Sequence, residues 1–217
     1  MKRFFVTEFH HGVLPFWAAC RRKEKAPPRL LSLDHHTDVV RAFRDETQRV
    51  EKDAWKWEDA VALAVSRLRH DEHFDWAVQS GTISEAFIAS HTCATEPANG
   101  SLHICCDPRW PEENELFREP EKYRPLADAV LETDYLFRQF GEIEQYGPFI
   151  LDIDCDYILT SRALAPQDDT YFKELVSKSL MVTLSLESDW VRLLKFPGEK
   201  ITAQMTADHL CKNFQFD

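Results

Sequence analysis

The sequence predicts an α/β protein, a three-layer α/β/α sandwich with a mostly parallel sheet. Short apolar runs alternate along the chain with segments of helical periodicity, and this alternation favours a parallel sheet with helices on both faces. Several of the apolar runs end in aspartate, glutamate or histidine. Because parallel strands bring their carboxyl ends to one edge, and such sheets bind ligands outside that edge, we expect a functional site there.

Length and composition indicate one domain over residues 1–217. Of the 217 residues, 44% are hydrophobic, which is enough for a substantial core. No run of about 18 apolar residues suggests a membrane span, and the first apolar run stops at a charge, unlike a secretory signal. The net charge of −11 argues against binding nucleic acid. The six cysteines form no Cys-x-x-Cys pair, which favours a reduced, cytoplasmic protein over a disulfide framework.

The individual elements follow from hydrophobic periodicity. Residues 43–70 carry apolar side chains at helical spacing and predict the longest helix. Residues 76–90 fit either a strand or a helix, with a helix favoured from Ser84 onward, whereas residues 107–122, rich in proline and acids, predict a surface loop or lid. Further helices are expected at 13–20, 126–140, 170–179 and 203–214, and strands at 3–9, 29–33, 101–106, 149–154 and 180–186.

The second strand ends in a group of potential metal ligands, Asp34-His35-His36-Thr37-Asp38. Side chains alternate between the two faces of a strand, so Asp34, His36 and Asp38 share one face. Two carboxylates and an imidazole at the end of a buried strand form an oxygen and nitrogen ligand set. The first strand also runs into a histidine, His10, which in a parallel sheet becomes a candidate fourth ligand.

The strand that begins at Phe149 ends in three alternating acids, Asp152, Asp154 and Asp156. Carboxylates crowded onto one face repel each other, by about 4 kcal/mol per pair at ~4 Å and an effective dielectric constant of ~20. Such a cluster persists when cations occupy it. A calcium loop fits poorly, because no glycine follows and no glutamate closes the loop. The last strand ends near Glu187, and a turn at 71–76 brings His73 within reach of a site.

Together, His10, the Asp-x-His-x-Asp motif at 34–38, the Asp-x-Asp motif at 152–154 and the late glutamate resemble the ureohydrolase superfamily of arginases and agmatinases. The resemblance implies an arginase-like fold and two Mn²⁺ ions. In the family's pattern, one ion is held by His10, Asp34, Asp38 and Asp152, and the other by Asp34, His36, Asp152 and Asp154. The pair Asp154 and Asp156 is an alternative register for the last motif.

The sequence motifs His-x-x-Val-Leu-Pro-Phe and Leu-Asp-Ile-Asp are similar to those of a small branch of that superfamily, the peptide arginases. This implies hydrolysis of arginine within a precursor peptide to ornithine and urea, by a water whose pKa two metal ions lower from ~15.7 towards ~7. Asp154 would orient that water, and Glu187 would pair with the guanidinium group. His73 is the expected proton shuttle and His91 the second choice. The short chain, with fewer loops over the site, favours a peptide over free arginine.

Three other functions compete with this one. A deacetylase of the same fold needs only one Zn²⁺ and has no use for His10, Asp38 and Asp152. A phosphoesterase with an Asp-His-His motif carries its Asp-x-Asp motif before that motif, whereas here it comes after. A degenerate hydrolase that acts as a binding module usually lacks a ligand, and this ligand set is complete.

Overall fold

The computed structural model describes residues 4–43, 66–93 and 95–213. Its strands form one six-stranded sheet in the order β1-β6-β5-β2-β3-β4, and each neighbouring pair is parallel. The strands are β1 (Phe4–Thr7), β2 (Arg29–Asp34), β3 (Ala86–Ser90), β4 (Leu102–Cys106), β5 (Phe149–Asp154) and β6 (Val182–Ser185). The middle strands β2 and β5 are buried nearly throughout, as expected for a parallel sheet covered on both faces.

Eight α-helices are described. They are α1 (Leu14–Arg21), α2 (His73–Gln79), α3 (Glu113–Arg118), α4 (Pro120–Ala127), α5 (Thr133–Phe140), α6 (Thr170–Lys178), α7 (Ser188–Leu194) and α8 (Ala203–Asn213). Short 3-10 turns lie at His10–Val13, Ile143–Tyr146, Cys155–Tyr157 and Ser161–Leu164. Most of the helix expected over 43–70 lies outside the described residues. Within the described part of the chain, no helix has the length and apolar character needed to span a membrane.

Two apolar cores cover the two faces of the sheet. Leu31 and Leu33 of β2 belong to one core, which includes side chains of α3 to α8. Leu30, on the opposite face of the same strand, belongs to the other core, with Trp17 of α1 and Phe74 of α2. The alternation of β2 side chains thus divides the protein into two cores. The expected three-layer sandwich is confirmed.

Two expectations about local structure are wrong. The segment after Ser84 is not a helix: Ala86–Ser90 is β3, which pairs with β2 on one side and β4 on the other. Strand pairing on both sides outweighs the local helical pattern. Residues 107–122 are not only a loop, because α3 and the start of α4 lie there, and Pro120 occupies the first turn of α4, where its missing N–H costs nothing.

One pair of cysteines also departs from the expectation. Cys93, after β3, forms a disulfide with Cys106, at the end of β4, with 5.8 Å between their Cα atoms. Because β3 and β4 are neighbours, their carboxyl ends bring the two thiols together across 13 residues of sequence. Among the described residues, Cys20, Cys105, Cys155 and Cys211 form no disulfide.

Candidate metal centre

The carboxyl ends of four neighbouring strands form one site. His10 follows β1 in a 3-10 turn, Asp34 is the last residue of β2, Asp154 is the last residue of β5, and Glu187 follows β6. The strand order places β1, β6, β5 and β2 side by side. The strand ends therefore deliver imidazole and carboxylate groups to one edge of the sheet, as the sequence predicts.

The first cluster surrounds Nδ1 of His10. This atom lies 3.4 Å from Oδ2 of Asp34, 3.4 Å from Oδ2 of Asp38 and 3.2 Å from Oδ2 of Asp154. The His10 ring is buried. His10, Asp34 and Asp154 have ligand atoms within 4.8 Å of one another, and His10, Asp38 and His73 form another such group, so His10 is a member of two overlapping candidate cation sites.

The second cluster comprises Asp34, His36 and Asp156, whose ligand atoms all lie within 4.8 Å of one another. Nδ1 of His36 is 3.1 Å from Oδ2 of Asp156. Oδ1 of Asp34 accepts a hydrogen bond from the His36 backbone N–H at 2.8 Å, which fixes that carboxylate. Asp34 belongs to both clusters, so it is placed to bridge two cations.

Asp152, which the resemblance makes a bridging ligand, lies among protein hydrogen-bond partners. Its Oδ2 lies 2.7 Å from Nε2 of His10 and accepts a hydrogen bond from Ser32 at 2.9 Å, while its Oδ1 accepts one from Thr183 at 2.6 Å. Both oxygens are therefore engaged with protein groups. Asp152 lies one step behind Asp154 on the same face of β5, and there it orients the His10 ring. The geometry favours the alternative register, with Asp154 and Asp156 at the centre.

The carboxylates of the two clusters lie close together, and their mutual repulsion shifts the pKa values of several cluster residues. Burial, and the neighbouring charge of Asp38, raise the pKa of Asp34 well above its usual range. Burial and Asp156 do the same to the pKa of Asp154. Burial disfavours the charged form of His10, but the charges of Asp152 and Asp154 outweigh it and raise the pKa of that imidazole well above its ordinary value. Burial would also raise the pKa of Asp156, but the hydrogen bond and charge of His36 outweigh it and lower that pKa.

The donor set fits a divalent cation such as Mn²⁺. Nδ1 of His10, Oδ2 of Asp34 and Oδ2 of Asp156 are buried and have no hydrogen-bond partner within the described part of the chain. Buried polar atoms are otherwise nearly always satisfied. Carboxylates and imidazoles without thiolates favour manganese over softer metals. These atoms are therefore candidate ligands by their chemistry as well as by their position.

His73 lies beside the first cluster. Its ring centroid is 4.3 Å from that of His10, and its Nδ1 is 3.9 Å from Oδ2 of Asp38. Nδ1 donates to the backbone carbonyl of His70 at 2.8 Å, which leaves the lone pair on Nε2. Burial and the neighbouring His10 lower the pKa of His73 well below its usual value. The ring is buried, and His70, whose carbonyl it contacts, is exposed.

Glu187 is positioned by backbone interactions. Its Oε1 accepts the His10 backbone N–H at 2.6 Å, and its own N–H donates to the carbonyl of Glu8 at 2.9 Å. Glu187 and Asp38 both have left-handed backbone conformations, with φ of 41° and 46°. Such conformations in non-glycine residues are strained and cluster at functional sites. Burial raises the pKa of Glu187 above its usual value.

His91 belongs to neither of the two clusters. It lies on the opposite face of the sheet, stacked on Trp110 at 4.1 Å and on Tyr157 at 4.4 Å between ring centroids. Its Nδ1 is 3.1 Å from Nδ1 of His35. Burial, followed by the neighbouring His36, lowers the pKa of His91 to about 3.

A cavity of about 680 Å³ opens next to the second cluster. Its wall includes His36 and Asp38 of the centre, the side chains of Trp110 and Trp190, and Glu112. The Trp190 ring contacts His36 edge-on at 4.9 Å. The cavity thus connects the cation clusters to the surface through aromatic and acidic side chains.

The sequence interpretation missed two kinds of residue. Asp156 was named only for an alternative register, although its alternation with Asp154 was visible. Ser32 and Thr183, which hold Asp152, carry no sequence signal, because they are ordinary strand residues. Their role depends on the register in which Asp152 lies beside both.

Comparisons with known proteins support the fold. No protein-family model and no curated protein matches the chain. Among solved structures, it is similar to a hypothetical agmatinase from Burkholderia thailandensis, with 15% identity and a TM-score of 0.50 over 99% of this chain and 58% of that one. It is also similar to proclavaminate amidinohydrolase from Streptomyces clavuligerus, with 12% identity and a TM-score of 0.45 over 95% of this chain and 60% of that one. The chain thus spans about three fifths of the length of these structures. The expected arginase-like α/β fold is confirmed.

Proposed function

We propose that the chain is a binuclear metallohydrolase that cleaves the guanidinium group of an arginine side chain within a peptide, giving ornithine and urea. The observation that carries the proposal is the pair of ligand clusters that share Asp34 at the carboxyl edge of the sheet. The fold, shared with a structure described as a hypothetical agmatinase, supports it.

The residues present fit two Mn²⁺ ions. The first would be held by His10, Asp34, Asp38 and Asp154, and the second by Asp34, His36 and Asp156. When bound, a pair of such ions activates a water at neutral pH and polarises the group it attacks. Asp152 fixes the His10 ring through Nε2, so that Nδ1 faces the ions, in the manner of a carboxylate that orients a metal-ligating histidine.

Glu187 is the proposed guanidinium-binding residue. Its Oε1 is occupied by the His10 backbone N–H, whereas its Oε2 makes no hydrogen bond within the described chain and can accept one from a guanidinium N–H. A carboxylate and a guanidinium form short, charge-assisted hydrogen bonds. The positive charge of the guanidinium would also lower the raised pKa of Glu187 and favour the ionised form of this carboxylate.

His73 is the proposed proton acceptor of the reaction. Its Nδ1–H is committed to the His70 carbonyl, and its lowered pKa keeps the ring neutral at neutral pH, so Nε2 is a free base. A general base must lie within reach of the reacting atoms, and the His73 ring lies against His10. His91 lacks such contact, which favours His73 over the second choice.

The cavity supports a peptide substrate. Its volume of about 680 Å³ exceeds what one side chain fills, and its lining includes Trp110, Glu112 and Trp190 besides His36 and Asp38. The net charge of −11 favours approach of a cationic chain. We propose a precursor peptide, with arginine in the cavity and its backbone across the rim. We also propose a cytoplasmic location for the reaction, where the reducing environment would keep Cys93 and Cys106 as thiols.

The test is mass spectrometry after incubation of the Mn²⁺-loaded protein with three separate substrates: an arginine-containing peptide, free arginine and agmatine. Water adds and urea leaves, so we expect the peptide to lose about 42 Da (urea, about 60 Da, minus water, about 18 Da) with release of one urea per ornithine formed. An Asp154→Asn variant should give neither product. Turnover of only the small guanidines would retain the reaction and reject the peptide, and no turnover of any would reject the proposed function.

One observation favours a second function. The second cluster alone, Asp34, His36 and Asp156, is the Asp, His, Asp set of a mononuclear zinc deacetylase. The first cluster around His10 then has no purpose, which makes this function the weaker candidate. Metal content separates the two: two ions per chain support the guanidinium hydrolase, and one Zn²⁺ with release of acetate from an acetyl-lysine peptide supports the deacetylase.

A further inference from the structure

A buried pair of histidines lies directly behind the second cluster. His35 and His91 are both buried, and their Nδ1 atoms are 3.1 Å apart. Each ring keeps an Nε2 without a hydrogen-bond partner among the described residues. A contact at this distance requires one ring to donate its Nδ1–H to the bare Nδ1 of the other. The two side chains therefore depend on each other.

This pair is connected to the ligands of the second cluster by His35. The backbone N–H of His35 donates to Oδ1 of Asp156 at 3.2 Å, and the other oxygen of Asp156 faces His36. The His35 ring also contacts the His36 ring edge-on, with 4.9 Å between centroids. Both ligands that belong only to the second cluster thus rest on His35.

His91 is packed against aromatic side chains of the core. The ring lies between Trp110 and Tyr157, which belong to the core on the face of the sheet opposite Asp34 and Asp154. The Oγ of Ser90 donates to the His35 carbonyl at 2.9 Å and holds the same segment. His91 therefore connects the ligand segment to a packed core, while the first cluster has its own support from Asp152.

We propose that His91, acting through His35, is a positioning residue for the second metal position: it fixes His36 and Asp156 in the geometry that binds the second ion. This inference rests on the two-cation centre of the proposed function. It does not depend on the identity of the substrate. Loss of the Nδ1 contact leaves the remaining Nδ1 unsatisfied in the core, and the His35 segment is then free to shift relative to Asp156.

The test compares two substitutions of His91. His91→Phe keeps a ring between Trp110 and Tyr157 but removes both nitrogens. His91→Asn keeps an amide close to the position of Nδ1 and can still exchange a hydrogen bond with His35. His103→Phe is the matched control, because His103 stacks on Phe87 of β3 at 4.5 Å and touches neither cluster.

The metal-free, full-length variants are titrated with Mn²⁺. Calorimetry measures the affinity of each ion, and the electron paramagnetic resonance signal of a coupled ion pair reports the second ion. We expect His91→Phe to weaken the second ion by about 10- to 100-fold, the usual effect of removing an outer-sphere partner, and to abolish the coupled signal. The first ion should keep its affinity within about twofold, since Asp152 and His10 are untouched. His91→Asn should restore most of the second-ion affinity, and His103→Phe should behave as wild type.

Several results would overturn the inference. Equal weakening of both ions in His91→Phe indicates general damage to the fold, and unchanged binding indicates that His91 has no positioning role. If His91→Phe does not fold, His35→Asn tests the same contact from the other side, with the same expected selectivity. A wild-type protein that binds two ions but hydrolyses no guanidinium compound would reject the proposed substrate and leave this test intact. A wild type that binds one ion would overturn both.

Discussion

Two aspartates on the same face of β5 have different surroundings. Both oxygens of Asp152 accept hydrogen bonds from protein groups, whereas one oxygen of Asp154 lies 3.2 Å from Nδ1 of His10, among the other cluster carboxylates. The alternation along the strand placed both residues on one face. It did not show which of them the neighbouring strands already engage, because that depends on Ser32 and Thr183.

We predict that Asp154→Asn and Asp152→Asn differ in their effect on metal content. Asp154→Asn removes a direct ligand and should abolish binding of at least one ion, while Asp152→Asn loses only the support of His10 and should weaken binding by about 10- to 100-fold. Native mass spectrometry at increasing Mn²⁺ concentration measures both. The opposite order of effects would return Asp152 to the role of a direct ligand.

The second prediction at the residue scale concerns pH. The pKa values of Asp34, Asp154 and His10 are all raised, so these groups retain protons at pH values where the isolated side chains would have lost them. A cation must displace those protons. The Mn²⁺ affinity should therefore rise with pH, from the ordinary carboxylate range to above neutrality, and binding should release protons.

Calorimetry at one pH in two buffers of different ionisation enthalpy measures that proton release. A Mn²⁺ affinity that stays constant between about pH 5.5 and about pH 8.5 would contradict the raised pKa values of these groups.

At the scale of elements, the edge of the sheet formed by β3 and β4 carries the disulfide Cys93–Cys106. The pairing joins the segment after His91 to the end of β4 and lies on the wall of the cavity. The sequence alone does not show that these two cysteines are neighbours, because their positions differ by 13. Only the parallel pairing of β3 with β4 brings them together.

We predict that reduction of this disulfide destabilises the protein. A cross-link over a loop of this length restricts the unfolded chain by about 3 kcal/mol, so the free energy of unfolding should fall by about that amount in dithiothreitol. Urea denaturation with and without the reductant measures the change. The double variant Cys93→Ser with Cys106→Ser should unfold like the reduced protein and no longer respond to dithiothreitol. A wild type equally stable in both conditions would contradict the prediction.

Other differences between sequence and structure also arise at this scale. The residues of β3 carry a helical pattern locally, but the strand is sandwiched between β2 and β4, and cross-strand packing prevails. The helix expected over 126–140 is divided: α4 ends at Ala127 and α5 begins at Thr133. Periodicity over a few turns does not show where one helix ends and its successor begins.

At the scale of the whole molecule, the centre joins both ends of the chain. His10 lies near the start, and Glu187 contacts its backbone N–H across 177 residues of sequence. Because cations bind only when these distant segments are together, we expect cation binding to stabilise the fold. At a free Mn²⁺ concentration of about 100 times Kd, one site should add about 2.7 kcal/mol to the free energy of unfolding.

For a chain of this length such a gain corresponds to a rise in Tm of about 5–10 °C. Differential scanning calorimetry of the metal-free protein with and without Mn²⁺ measures it, and Mg²⁺ at the same concentration shows how selective the centre is. Asp154→Asn should lose most of the rise. A rise of equal size in that variant would place the stabilising ion elsewhere.

The sequence by itself determined the fold class, the strand ends that carry chemistry, and the face on which most of the candidate ligands lie. These follow from the period of two along a strand and from the common direction of parallel strands, which are local properties. Only the tertiary structure decided which carboxylate is a candidate ligand and which one supports it, that His35 rests on His91, and that two cysteines are paired. Those outcomes depend on strand order and register. Whether a side chain is already hydrogen-bonded depends on its neighbour on the adjacent strand, and the sequence of one strand does not show which residue that neighbour is.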